Sequence, residues 1–308
     1  MNWKKRWAQF VGYEPEIAIH NQLVELEKLT SDQIELWGEF QRYLASEREK
    51  RLPELLDALT ENRQSEIVIE NGSRIVETMY ATNPLCSVGS VIRPPGGRFN
   101  FGPISSFYKT FHALYLASDY QTAFSEKFPP PDNMDSSELQ PEQYALAQAT
   151  SFVHSRVKIS LSNVLDLRNA NALKGFSEIV CRIETPKKFK EWGEQVGFPD
   201  LGTIQNENAL FENILAKNYE QWCFLLDQPS NSQWLGHYAK KAGMEGIIYP
   251  SVRNTEGFNV AIFPENIEES EVSLRDASAL VEEKYMSLHS KNYSLFTQSN
   301  DQMNIFTN

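Results

Sequence analysis

The stretch from Arg93 to Phe128, RPPGGRFNFGPISSFYKTFHALYLASDYQTAFSEKF, carries the residue types and spacing that could do chemistry. Pro94 and Pro95 fix φ and lack an N–H, while Gly96 and Gly97 reach positive φ at little steric cost, so RPPGGRFNFG is a tight, irregular turn. Such a turn gathers backbone N–H groups and lets a ligand come close, with Arg93 and Arg98 at its edges. A guanidinium offers a rigid fork suited to phosphate oxygens. Ala113 to Ala117 alternates as a strand does, with Leu114 and Leu116 on one face. Tyr115 stands on the other face between Ala113 and Ala117, which leaves its ring unobstructed. Ser118-Asp119 reads as a helix N-cap, and Glu126 falls on the narrow helical row Asp119, Thr122, Ala123, Glu126. That row puts the carboxylate roughly 10 Å past the cap. Taken singly, these residues also have plainer readings: a turn, a core or edge aromatic, a solvated helix carboxylate.

A second chemistry-bearing position comes far downstream. Gly246 to Tyr249 reads as a short buried strand that Pro250 ends, so Ser251 emerges at a strand end with Arg253 two residues on. Asn259 to Phe263 is the return strand, with Glu256-Gly257 in the turn. Alone, Ser251 reads as a turn residue. Between these stretches, residues 144 to 168 alternate in a strand manner, and Asp166 and Arg168 at the end form a candidate ion pair. His154 has no second ligand near it in sequence and reads as a core or surface histidine.

The remaining elements position these residues. Residues 15 to 80 read as helices, with a capping box at Thr30 to Gln33 and an apolar stripe of Ile34, Trp37, Phe40, Tyr43 and Leu44. This part is expected to pack on the rest of the chain or on a partner. Residues 171 to 226 read as helices interrupted around Gly197-Phe198-Pro199. Ser230 to Gln233 is another capping box, opening a helix that ends at Gly243. Residues 129 to 143, rich in Pro and acids, read as an exposed loop. Leu274, Ala277, Leu280 and Val281 suggest an amphipathic helix, and the last 20 residues read as loosely ordered.

Composition limits the function. The 308 residues carry a net charge of −12, which argues against a general nucleic-acid surface, since phosphate binding requires clustered Lys and Arg. Cys86, Cys181 and Cys223 are widely spaced and form no CxxC pair, which fits reduced thiols of a cytoplasmic protein and no zinc site. No stretch is long and apolar enough to span a membrane. Trp3, Trp7, Phe10 and Val11 share a short helical face that could touch an anionic surface, but two turns give no stable association, and packing on the protein is the simpler reading.

The order GGRFN, then ALYLAS, then Glu126 in AFSEKF, and downstream YPSVRNTEGFNVAIFP resembles the RES domain family, named for its Arg, Glu and Ser. On this resemblance, which covers about residues 85 to 265, Arg98 matches the family Arg, Tyr115 its Tyr, Glu126 its Glu and Ser251 its Ser. The segment around Phe107, Tyr108, Phe111 and His112 is longer than in the commonest form, and the Pro-rich insertion and the preceding residues are additions to it. Compact members are toxins of toxin-antitoxin pairs.

The resemblance implies an α+β, ADP-ribosyltransferase-like mixed core of small sheets with helices. The expected division is a helical extension over 1–82, a catalytic domain over 83–268 and an acidic helical and flexible tail over 269–308. It also implies cleavage of the nicotinamide–ribose bond of NAD by water or phosphate, without a metal. In that scheme Arg98, aided by Arg93, grips the pyrophosphate, and Tyr115 stacks on nicotinamide or ribose. Ser251 hydrogen-bonds the sugar or carboxamide, and Glu126 holds a ribose hydroxyl or the developing positive charge. NAD and a protein antitoxin or immunity factor are the partners implied. Mono-ADP-ribosyl transfer and a non-catalytic, partner-binding role stay open.

Overall fold

The computed structural model describes residues 30–128, 151–169, 171–276 and 279–298. The apolar start at Trp3, Trp7, Phe10 and Val11, the loop of 129–143, Ala277 and residues 299–308 lie outside them.

Helix α1, Ser31–Lys50, begins at the capping box read from sequence: Thr30 Oγ1 accepts from Gln33 N–H at 3.3 Å, and Gln33 Oε1 accepts from Thr30 N–H at 3.0 Å. Its stripe docks on this chain. Leu36, Phe40 and Leu44 bury against Ile183, Phe189 and Leu201, while Ile34 and Trp37 pack on Trp222, Leu225 and Leu226. Buried Arg48 donates to Asn231 Oδ1 at 2.7 Å. Helix α2, Leu52–Glu61, adds Leu55 and Leu59 to the main core.

The helical reading stops there. Ile67–Glu77 is strand β1, not helix, paired antiparallel with both β2 (Leu114–Ala117) and β3 (Phe152–Leu161). Ile67, Val68, Ile69, Ile75 and Val76 are β-branched and stiff at χ1, which favours a pleated strand over a helix. The register shifts between Ile69 and Gly72, where a Cβ on Gly72 would stand 3.0 Å from Ile159 Cδ1. Helix α3 (Gly89–Ile92) precedes β2 in the chain and α4 (Tyr120–Lys127) follows it. After β3 follow β4 (Val164–Asp166), α5 (Lys174–Cys181), α6 (Lys187–Gln195), α7 (Glu207–Ile214), α8 (Tyr219–Leu226) and α9 (Asn231–Lys241). The expected break falls after α6. Strands β5 (Gly246–Pro250), β6 (Phe258–Ile262), β7 (Glu271–Leu274) and β8 (Ser287–Leu288) and the short α10 (Ser294–Thr297) complete the described chain.

The protein is a mixed α and β fold. Where several small sheets were expected, the strands join one eight-stranded sheet in the order β4-β5-β6-β2-β1-β3-β7-β8, antiparallel except for β4 and β5. Its two faces carry separate cores. Tyr115, Leu165, Ile247, Tyr249 and Ala261 face α2, α5 and α9, and Leu114, Leu116, Ile248, Val260 and Ile262 face the opposite way. The period-two alternation read along β2 thus decides which core each side chain enters. Strands outside 83–268, namely β1, β7 and β8, pair into the same sheet.

Two readings near the C-terminus are corrected. Leu274 ends strand β7, opposite Val157, because β3 offers that segment a pairing edge; Leu280 is 66% exposed, and none of the described residues between the two is helical. Residues 289–298, expected to be loose, are docked: Phe296 is fully buried and its carbonyl accepts from both the N–H and the hydroxyl of Ser87 at 2.8 Å.

Candidate functional site

The Arg98 turn is built before any charge enters it. Gly96 N–H donates to Arg93 O and Gly102 N–H to Pro95 O, both at 2.8 Å. Gly96 has φ 95°, and a Cβ there would stand 2.3 Å from Gly102 N, so only glycine fits. Fully buried Asn100 locks the inside: its Nδ2 donates to Ser90 O at 2.7 Å and Phe111 O at 3.0 Å, and its Oδ1 accepts from Gly97 N–H and the Tyr115 hydroxyl at 2.9 Å each.

Arg98 is 8% exposed. Its Nη1 donates to Ile214 O and Ala216 O, each at 2.9 Å, just where α7 ends, and its guanidinium lies over the Tyr219 ring, 4.7 Å from the centroid. Among the described residues, no hydrogen bond reaches its Nε or Nη2.

Tyr115 is held, not free. Its hydroxyl accepts from Phe99 N–H at 2.9 Å, and its ring lies so close to Gly97 that a Cβ there would fall 2.4 Å from the phenol oxygen. The open ring expected from its small neighbours on β2 is therefore covered by a glycine of the turn, a packing that strand alternation cannot show. Burial, and then the nearby Tyr249 hydroxyl, hold the Tyr115 phenol well above its ordinary value, against the opposing pull of Phe99 N–H and Arg98.

Glu126 stands on α4, which is capped as the sequence indicates: Asp119 Oδ1 accepts from Thr122 N–H at 2.8 Å. Glu126 Oε1 accepts from the Ser251 hydroxyl and from Asn259 Nδ2, both at 2.7 Å, and Arg253 Nε lies 3.6 Å from Oε2. The carboxylate side chain is 29% exposed, while Ser251 and Asn259 behind it are each 5% exposed. Ser251 Oγ also accepts from Asn254 N–H at 3.0 Å and Arg253 N–H at 3.2 Å, so the start of the β5–β6 turn is folded around this hydroxyl. Asn254 Nδ2 donates to Thr122 Oγ1 at 2.9 Å and ties the hairpin to α4.

Tyr249 joins the two halves. It pairs with Asn259 across β5 and β6, so both side chains share the face that carries Tyr115, and its ring contacts Phe99 at 4.8 Å. Burial raises its phenol above the ordinary value, with Arg98 pulling it down and Glu126 pushing it up. Both charges therefore act on one hydroxyl.

The structure thus brings Arg98, Tyr115, Glu126 and Ser251 to one region, at the end of the sheet where β2 and β5 finish and β6 begins. Arg93 turns elsewhere: its Nη2 lies 3.2 Å from Glu77 Oε1, which also faces Lys127 at 3.7 Å. The expected Asp166–Arg168 pair forms at 2.6 Å, with the guanidinium 4.2 Å over the Phe258 ring. His154 meets Ser73 Oγ at 3.2 Å. Asn259, Tyr249 and Tyr219 were missed from sequence. An Asn at an alternate position of a buried strand, two residues before Ala261, was the available signal for the first.

Among the described residues, no group of three or more His, Cys, Asp or Glu could hold a metal, and no helix is long and apolar enough to cross a membrane. A surface cleft of about 380 Å3, lined by Lys190, Glu194, Asp200 and Thr203 among others, shares no residue with the site.

Among solved structures, a chain of the M. tuberculosis MbcT–MbcA toxin–antitoxin complex is similar, with 16% identity and a TM-score of 0.41, over 80% of this chain and 98% of that one. No curated protein matches. A family model described as the RES domain matches residues 74–281, more than half of the chain and a range that includes positions 98, 115, 126 and 251. The chain belongs to the RES domain family.

Proposed function

We propose that this site binds NAD and breaks its nicotinamide–ribose bond, with water or phosphate taking the ribose carbon. One observation carries the reading: Ser251 and Glu126, matched to the family's Ser and Glu by the sequence resemblance and 125 residues apart in the chain, meet at 2.7 Å beside the strand pair Tyr249–Asn259, and the Tyr249 ring in turn contacts Phe99, the neighbour of Arg98. Nicotinamide leaves as a neutral base, so the protein's task is to orient the dinucleotide and to stabilise an oxocarbenium-like ribose. Of the three hydrogen-bonded groups Glu126, Ser251 and Asn259, Glu126 is the most exposed, and in this scheme it faces the sugar. Ser251 and Asn259 lie behind it and aim it, which shifts Ser251 from the expected sugar contact to a positioning bond.

In this scheme Nη1 of Arg98 is committed to two carbonyls, and Nε and Nη2 are left to meet pyrophosphate oxygens. Tyr115 fixes the turn through its hydroxyl and offers the remaining ring surface to the nicotinamide or ribose. The substrate's glycosidic electrons leave with nicotinamide. Water then gives ADP-ribose and a proton, and phosphate gives ADP-ribose 1-phosphate.

Incubation of the purified chain with labelled NAD, with and without inorganic phosphate, tests this. Free nicotinamide together with one of the two soluble products supports it. Label retained on protein redirects the assignment to ADP-ribosyl transfer, and unchanged NAD to a non-catalytic role.

A further inference from the structure

Gln233 is fully buried in the first turn of α9, and its two ends serve different partners. Its Oε1 accepts from Ser230 N–H and from the Cys223 thiol, both at 3.1 Å, and its own backbone N–H donates to Ser230 Oγ at 3.3 Å, closing a capping box. Its Nε2 points away from the helix and donates to Pro95 O at 3.0 Å and to Gly97 O and Asn100 O at 3.1 Å. These three carbonyls bracket Arg98 in the chain. Gly236, three residues further along the same helix, lies against the turn as well: a Cβ there would stand 2.0 Å from Phe99 O.

We propose that Gln233 is a positioning residue whose amide holds the RFN turn and thereby sets where Arg98 can meet the pyrophosphate; the inference rests on the NAD reading above. A capping box accepts Glu as readily as Gln, because only an acceptor oxygen reaches the N-cap N–H. At position 233 the turn decides between them. A carboxylate would present oxygen to three carbonyl oxygens and supply none of the donors they use. The capping box of α1 provides the comparison, since Gln33 spends its Nε2 on the single carbonyl of Val196, at 2.9 Å and outside the site.

The test uses the full chain with Gln233→Glu, Gln33→Glu, Arg98→Ala and the Arg98→Ala/Gln233→Glu double variant. Loss of a phosphate contact made equally before and during reaction raises KM, so Gln233→Glu is expected to raise KM for NAD by about tenfold with kcat within about threefold. Gln33→Glu leaves both near wild type. Because Gln233 acts through Arg98, the double variant is no worse than Arg98→Ala; additive losses, or an unchanged KM in folded Gln233→Glu, overturn the proposal. Gln233→Met, of similar length and without charge, is made alongside and must show the same KM rise if the Glu variant does not fold. Amide hydrogen exchange over residues 96–102 is read without NAD and must quicken in the position-233 variants and not in Gln33→Glu. A wild-type chain that leaves NAD intact sinks the NAD reading. Exchange then decides on Gln233 by itself, and unchanged protection of the turn overturns its role.

Discussion

Gly257 lies against Thr122 so closely that a Cβ on the glycine would stand 1.9 Å from the threonine Oγ1. That hydroxyl is already engaged, donating to Asp119 Oδ2 at 2.8 Å and accepting from Asn254 Nδ2 at 2.9 Å. The β5–β6 hairpin and α4 are thereby pressed together, and Ser251 and Glu126 are the residues the contact serves.

Gly257→Ala is therefore expected to push the hairpin off α4. Its cost is the overpacking range of about 1–3 kcal/mol, seen as a lowered melting temperature. Nicotinamide release falls further than stability does, since the Ser251–Glu126 bond lengthens while the sheet stays paired. A variant that melts earlier yet turns over NAD as wild type does would separate this contact from the chemistry.

Glu126→Gln keeps an acceptor oxygen for Ser251 and Asn259, removes the charge, and puts an NH2 group where Oε2 now faces Arg253. The fold is expected to persist, and nicotinamide release to drop by about a hundredfold or more if the carboxylate stabilises the developing cation. Ser251→Ala removes the bond to the charged Glu126, about 1.5–3 kcal/mol in effect, and also the acceptor of the Arg253 and Asn254 N–H groups, and is expected to cost at least about tenfold to a hundredfold. A Ser251→Ala variant as inactive as Glu126→Gln would mean the serine itself touches substrate.

Much of this site was legible because its parts are local. The Asp119 cap, the alternation through Tyr115, the turn glycines and the strand ending at Pro250 each follow from residues a few positions apart. What was not legible depends on distant partners. Strand β1 is a strand because β2 and β3 flank it, and its short polar interruption at Glu70-Asn71 resembles a helix surface until those partners are present. The Gln233 amide meets carbonyls 133 to 138 residues away, and the carbonyls that hold Arg98 lie 116 and 118 residues on. Arg93 sat beside Arg98 in the motif, yet the acid that claims it, Glu77, belongs to a strand whose β-branched runs read as helix in the sequence, and it lies 16 residues away.

Arg98→Ala and Arg156→Ala separate a buried cation from an exposed one. The first leaves the Ile214 and Ala216 carbonyls without their donor and is expected to cost about 1–3 kcal/mol in denaturant unfolding, together with a raised KM for NAD. Arg156 pairs with Asp276 at the surface, with 58% of its side chain exposed, and its loss is expected to change stability by less than about 1 kcal/mol and KM not at all. Equal KM effects in the two variants would remove the phosphate role from Arg98.

His237 links acidity to the same turn. Its ring stacks on Phe101 at 5.1 Å and 15°, and burial first, then Lys241 and Lys240, push its imidazole down to about 4. Between the ordinary value near 6.5 and about 4, the unfolded chain takes up a proton that the folded chain refuses. Stability present above pH 6.5 is therefore lost as pH falls through that window, with about 3 kcal/mol as the upper scale for a shift of this size. His237→Phe keeps an aromatic ring against Phe101 and cannot take the proton, so its unfolding free energy should depend less on pH. Chemical denaturation of both proteins at pH 7, 5.5 and 4 measures the difference, and parallel curves would show that His237 does not set the acid limit of the turn.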